Sequence, residues 1–344
     1  MQRYIVITVV VIGLLIAQPF IPCFIQGAES AENSVVIKMG TLAPEGSSWI
    51  QRFNAINAEV MEKTGNTVKF KIYPGGVLGD EKDMMRKMQI GQIHGVALTS
   101  AGLSVFFKDI DVLHIPFFFQ DYGEVDYVLG NMGPYFKKGL EDSGYILLGW
   151  SEAGFIYLMS TTPISSVSEL QKAKVWIWHE SPMSQAIFNE AGVAAIPLSV
   201  PDVLVGLQTG MVEVVYAPPT GAISLQWFTR VKYITDIPLS YIGGGLVVRK
   251  DVFKKLPQST QDAIIEIFQR NLNQLKAVTR QENQEAIRVM EKQGVRLVTP
   301  PQDQIAEFKR LSDNAIAQLT GRAFSKDVLD DLTAHLEAYR QGKR

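Results

Sequence analysis

The feature that most constrains this chain is a single helical pattern running from Pro257 to about residue 293. Ile264, Ile267, Phe268, Leu272, Leu275, Val278 and Ile287 lie along its apolar side, at the spacing of one helix face. At about 1.5 Å per residue such a helix is longer than roughly 50 Å, which is more than one lobe of a globular protein spans. The repeat is too irregular for a coiled-coil seam, so the helix is expected to lie along two lobes and brace them. The length of 344 residues agrees, because it exceeds one typical core and falls short of three.

Strand and helix signals alternate through the remainder. Residues 35–41 read as a strand ending in Leu42-Ala43-Pro44-Glu45-Gly46-Ser47-Ser48, a turn-rich loop that caps a helix carrying Ile50, Phe53, Ile56 and Val60. Val68, Phe70 and Ile72 alternate as the next strand, Pro74-Gly75-Gly76 breaks it, and Asp80 caps a helix bearing Met84, Met85 and Met88. Further strands are expected at 96–98, 145–150, 174–178, 195–197 and 212–216, with helices at 182–191 and 201–209. Gly243-Gly244-Gly245 reads as a flexible entry into another strand, and two amphipathic helices, at about 301–319 and 325–340, follow the long one. This alternation implies an α/β protein with mainly parallel sheets and helices on both faces.

The first residues differ from the rest. Arg3 supplies a positive start, residues 4–17 are apolar, and Gln26-Gly27-Ala28 offers small residues for cleavage, so residues 1–28 are expected to be a signal peptide that exports the protein to the periplasm. Pro19 and Pro22 interrupt the apolar run before it reaches the roughly 20 residues of a membrane-spanning helix. The single cysteine, Cys23, lies in this segment, which leaves the exported chain without thiol chemistry or disulfides.

Composition and motifs remove several classes of function. With 33 basic and 35 acidic residues mixed along the chain, there is no basic stripe for a nucleic acid. His94, His114, His179 and His335 are far apart and none has the spacing of a zinc helix, so no metal site is expected. The Gly243 triplet lacks a phosphate-cradling pattern, no nucleophile elbow occurs, and no cofactor or enzymatic reaction is expected. Asp80, Glu81 and Asp83 cluster at a helix start, where acids complement the helix dipole and free N–H groups.

What remains is aromatic. Val175-Trp176-Ile177-Trp178-His179-Glu180 ends an apolar strand, and residues two apart in a strand point the same way. Phe119, Phe155 and Tyr216 also follow apolar strands, and open α/β sheets bind ligands beyond the carboxyl ends of their strands.

Several segments carry a family resemblance: Tyr73-Pro74-Gly75-Gly76-Val77-Leu78-Gly79-Asp80-Glu81, Ile115-Pro116-Phe117-Phe118-Phe119, residues 192–197, Pro201-Asp202-Val203-Leu204-Val205-Gly206-Leu207-Gln208-Thr209-Gly210, and the long late helix. In this order they resemble the DctP-type solute-binding protein of TRAP transporters (tripartite, ATP-independent, periplasmic). The resemblance implies a two-lobed periplasmic-binding-protein fold, type II-like, with mixed or parallel sheets flanked by helices. Its lobes would comprise residues 34–153 plus about 242–280, and 154–241 plus about 281–344. It further implies closure of the cleft on a small organic acid and delivery to the TRAP membrane permease, driven by an ion gradient. The alternative is a ligand-sensing subunit for a signalling receptor.

The departures from the family pattern bear on the solute. Members carry Gly-Phe-Arg where this chain has Gly154-Phe155-Ile156, an arginine that clamps the ligand carboxylate where Trp176 stands, and Asn-Pro where Ala217-Pro218 stands. Without a planar fork of charged donors, the expected ligand is an organic acid that is aromatic or otherwise bulky and apolar. Ser47 and Trp49 of the first loop, with Thr99 and Ser100 after the third strand, are expected at the site. Phe119, Phe155, Trp176, Trp178, His179 and Tyr216 are expected as its wall, and Gln226 and Trp227, on the helix before Arg230, are further candidates. A carboxylate would be held by His179, by the Thr99 or Ser100 hydroxyl, or by backbone N–H groups.

Overall fold

In a computed structural model, residues 34–178 and 181–343 are described. The expected signal segment 1–28, Cys23 and His179 lie outside these described residues. Strands β1 (Val35–Gly40), β2 (Val68–Tyr73) and β3 (Gly95–Thr99) pair in parallel in the order β2-β1-β3. Two long strands extend this sheet: β4 (Tyr145–Ser160) and β9 (Ser240–Arg249) run antiparallel to each other, and β9 is antiparallel to β3. The far end of β4 then pairs with β7 (Val214–Ala217) and with β8 (Tyr233–Thr235), and β8 takes β10 (Arg296–Val298) in parallel. A short parallel pair, β5 (Trp176–Ile177) with β6 (Ile196–Pro197), adjoins β7 through a bridge between Val175 and Val214.

The sheet is therefore mixed, and its antiparallel character comes entirely from the two crossing strands. Strands linked by helical crossovers pair in parallel, as the alternation predicts. β4 and β9 instead run through the waist of the molecule and belong to both halves, with Tyr145 opposite Arg249 at one end and Ile156 opposite Ser240 at the other.

Three buried clusters fill the layers. Helix Ser48–Lys63 and the first half of the long helix cover one face of the β1-β3 region, where Phe53, Phe70 and Phe268 meet with centroids 5.0–6.2 Å apart. Helices Tyr122–Asp142 and Lys326–Gly342 cover the other face through Phe136, Leu140 and Leu332. The third cluster surrounds the far end of β4 and includes Met159, Trp176, Ile234 and Phe308.

The long helix spans Gln258–Lys292, within a residue of the expected limits. Ile264, Phe268 and Leu272 pack in the first cluster, and Met290 packs in the third, so the helix braces both lobes. Between these apolar stretches its buried side chains are polar. Asn283 donates to the Ala153 carbonyl at 2.8 Å and accepts from the N–H and hydroxyl of Thr220 at 3.0 and 2.9 Å.

Two expectations about the crossing strands need correction. The strand expected at 145–150 continues to Ser160 through irregularities at Leu147/Gly149 and Glu152/Gly154. Within this extension Glu152 and the Ala153 carbonyl are paired with Arg280 and Asn283 of the long helix, partners remote in sequence. Gly243-Gly244-Gly245, expected as a flexible entry, lies buried in the middle of β9. A Cβ on Gly244 would stand 2.4 Å from the Leu98 carbonyl oxygen, so these glycines thin the strand where β3 and β4 close on it from both sides.

Gly154 has a φ of +107°, and a Cβ there would stand 2.5 Å from Asn283 Nδ2 and 2.8 Å from the Tyr122 hydroxyl. Gly154→Ala should therefore lower unfolding stability by about 1–3 kcal/mol in urea titrations. A midpoint and slope equal to the parent's would contradict this account of the crossing.

Candidate functional site

Where the two halves face each other they enclose a cavity of about 270 Å³. Its near wall is the β1 exit loop, with Leu42, Pro44, Ser47 and Trp49, together with Thr99 at the end of β3. Its floor is the crossing, formed by Ser151, Glu152, Ala153 and the buried glycines Gly243 and Gly244. The far wall carries Trp176, Trp178, Tyr216 and Trp227, and the long helix closes one side with Thr279 and Glu282.

Local chemistry fixes each of these groups. Ser47 caps helix Ser48–Lys63: its hydroxyl accepts the Ile50 N–H at 3.3 Å and donates to the Pro44 carbonyl at 2.7 Å. Trp49 stacks on Phe53 at 5.9 Å and leaves its outer face to the cavity. The Trp176 indole donates to the Leu198 carbonyl at 3.0 Å, stacks on Tyr216 at 4.8 Å and meets Trp227 edge-on at 5.2 Å. The Trp178 indole donates to Asp80 Oδ2 at 3.0 Å, while its backbone N–H donates to the Tyr216 hydroxyl at 3.0 Å. Burial raises the Tyr216 phenol above its ordinary pKa, so it stays a neutral wall at neutral pH.

Of the expected residues, Ser47, Trp49, Thr99, Trp176, Trp178 and Tyr216 line the cavity, as does Trp227. Ser100, Phe119, Phe155 and Gln226 do not. Ser100 opens the short helix Ser100–Ser104 and turns fully into the core. Phe119 and Phe155 pack on Tyr241 at 5.9 and 5.8 Å, beneath helix Tyr122–Asp142. Successive β4 residues point to opposite sides, so Phe155 faces that helix. Ile156 faces the other way, where it lines a second cavity of about 70 Å³ with His114, Met183, Phe188 and Tyr216. Gln226 occupies a left-handed turn, φ +61°, before Trp227.

The sequence reading missed the carboxylates. Asp80 and Asp83 form the reciprocal helix cap that their position predicts, but Glu81, 2 % exposed, turns into the cavity wall instead. It accepts the Thr99 N–H at 2.8 Å and the Thr99 hydroxyl at 3.0 Å. The signal was present: Glu81 lies three, four and seven residues before Met84, Met85 and Met88, on the same buried helix face. Glu282 accepts the Ser48 hydroxyl at 2.8 Å. Glu152 is paired with Arg280 at 2.6 and 2.9 Å and takes the Tyr241 hydroxyl at 2.9 Å.

Arg280 also grips Asp126 through two bonds of 2.7 Å, and these pairings with Asp126 and then Glu152 raise its pKa against the cost of burial. Among the described residues the cavity wall contains no lysine or arginine, and no cluster of potential metal ligands was found. Four indoles and a phenol give the site stacking surface rather than a fork of charged donors.

A sequence profile described as DctP, bacterial extracellular solute-binding protein, family 7, matches residues 39–322. The C4-dicarboxylate-binding periplasmic protein DctP of Rhodobacter capsulatus is 23% identical over 267 residues, 72% of this chain and 80% of that one. The 2,3-diketo-L-gulonate-binding periplasmic protein YiaO of Escherichia coli K12 is 25% identical over 280 residues, 81% of this chain and 82% of its own. Among solved structures, a TRAP periplasmic solute-binding protein from Desulfovibrio salexigens with bound orotic acid superposes with a TM-score of 0.80 at 20% identity, covering 88% of this chain and 99% of that one. One from Citrobacter koseri with bound D-glucuronate gives 0.80 at 22% identity, covering 87% and 99%.

The Glu152 side chain is wholly buried and Arg280 is its cationic partner. Replacing one member of a buried pair strands the other's charge, so Arg280→Met should cost about 3–5 kcal/mol of stability. Arg280→Met combined with Glu152→Gln should recover part of it. Equal stability of the single variant and the parent in urea would show that the pair does not hold the cavity floor.

Proposed function

The chain belongs to the bacterial extracellular solute-binding proteins of family 7, the solute-binding proteins of TRAP transporters, and on that premise we propose that it captures a bulky organic acid, aromatic or largely apolar, between its lobes. The observation that carries this reading is the far wall: Trp176, Tyr216 and Trp227 packed ring against ring, with no lysine or arginine among the described lining residues. Relatives named for a C4-dicarboxylate and a diketogulonate, and neighbours holding orotate and glucuronate, support the acid class. Without a cationic fork, the carboxylate of such an acid is met by hydroxyl donors such as those of Ser151 and Ser224 in the wall, or by His179. Most of the affinity then comes from ring stacking and apolar area.

In this reading Ser47, Trp49, Thr99, Trp176, Trp178 and Tyr216 face the solute. The lobes comprise residues 34–153 with about 242–280 and 154–241 with about 281–344, and they swing about the β4–β9 crossing. Residues 1–28 direct the protein to the periplasm, and the closed form hands its solute to the membrane permease.

Titration calorimetry with indole-3-acetate, phenylacetate and succinate tests the solute class. The aromatic acids should bind at least about tenfold more tightly than succinate, and should alter the intrinsic fluorescence, because four of the five tryptophans line the cavity. Tight binding of succinate with none of either aromatic acid would overturn the proposal.

A further inference from the structure

Asp80 performs two tasks with its two carboxylate oxygens. Oδ1 accepts the Glu81 N–H at 2.8 Å, while Asp83 Oδ2 accepts the Asp80 N–H at 3.2 Å, which completes the cap of helix Glu81–Gln89. Oδ2 points the other way. It accepts the Trp178 indole N–H and the Val200 backbone N–H, both at 3.0 Å.

These partners belong to opposite halves of the molecule. Helix Glu81–Gln89 packs in the cluster built on β3 and β9, whereas Trp178 packs in the cluster around β5, β6 and β7. Asp80 is only 3 % exposed, and the described hydrogen bonds reaching its side chain all come from neutral N–H groups. A buried carboxylate depends on such donors, and both donors on Oδ2 come from across the cleft. Separating the halves removes both at once. The preceding loop is apposed to the same place: a Cβ on Gly76 would stand 3.1 Å from Pro201 Cγ.

The contact continues into the cavity wall. Trp178, whose indole Asp80 holds, donates its backbone N–H to Tyr216, and Tyr216 stacks on Trp176. A single path thus runs from a helix cap in one half to the aromatic surface that faces the cavity in the other. We infer that Asp80 is a positioning residue that fastens the closed cleft and, in the same contact, sets the Trp178 ring in the solute-facing wall. The inference rests on the proposed solute cavity only for the meaning of that wall; the fastening itself is a property of the two halves.

Asp80→Asn separates the two tasks, because asparagine caps a helix as well as aspartate but presents only one acceptor oxygen. Trp178→Phe keeps an aromatic ring at the position and deletes the indole donor. Spin labels at Lys82→Cys and Gln208→Cys, both exposed and on opposite sides, in a Cys23→Ser background, report the separation of the halves by pulsed electron resonance. We expect one dominant short distance in the labelled parent. In either variant the longer-distance population should rise about three- to tenfold, with the melting temperature of Asp80→Asn close to the parent's.

Unchanged distance distributions in both variants would overturn the inference, even where indole-3-acetate still binds and the solute reading stands. If instead the variants open while the parent binds no aromatic acid and carries no solute in native mass spectrometry, the fastening role stands and the solute reading falls.

Discussion

Everything in this fold hangs on the place where the long helix crosses the two shared strands. There Arg280 binds Glu152 on β4 and Asp126 on helix Tyr122–Asp142, with Tyr241 of β9 closing on the same Glu152 carboxylate. A guanidinium with five donors satisfies two carboxylates in fixed planes, so this contact sets the helix in both translation and rotation against the waist. One turn further on, Asn283 ties the helix to the Ala153 carbonyl and to Thr220. The floor of the cavity is therefore tied to the long helix by several side-chain hydrogen bonds, and the walls that rise from it belong to different halves.

How much of this was legible in the sequence followed from the range of the interactions involved. The long helix was readable almost to the residue because periodicity is local and repeats over many turns. The parallel β1-β2-β3 unit was readable for the same reason. The second half of β4 and the glycines of β9 were not, since Gly154 and Gly244 have meaning only beside Asn283 and the Leu98 carbonyl, residues remote in sequence. The aromatic residues divided on the same principle. Trp176 and Tyr216 lie on short strands and meet the cavity, whereas Phe155 lies within a long strand that continues, so its direction depends on the pleat.

The carboxylates carry a different lesson. Acids at a helix start satisfy the dipole, and that explanation suffices for Asp83. It stops being sufficient for Glu81 once the methionine stripe is seen to share its face, because a charge on a buried stripe requires partners beyond its own helix. Thr99 is one such partner. Position on the helix thus separates a solvated cap from a wall residue two positions away.

Under the proposed solute reading, a wall without lysine or arginine also changes how closure is driven. In a cleft that clamps a carboxylate with charged donors, the solute supplies much of the free energy that joins the lobes, and selectivity follows its charge geometry. A wall of indoles offers contact area with weak directional preference, so a solute discriminates less strongly between the open and closed forms through charge. In that reading, direct contact between the lobes makes up the difference. Each hydrogen bond formed across the cleft raises the share of binding-competent molecules and lessens the amount the solute must contribute. Asp80, buried between donors from both halves, does this at the rim of the same wall. In the proposed reading an apolar pocket and a polar contact between lobes are two parts of one arrangement: the pocket selects by shape, and the contact contributes closure that charge does not drive.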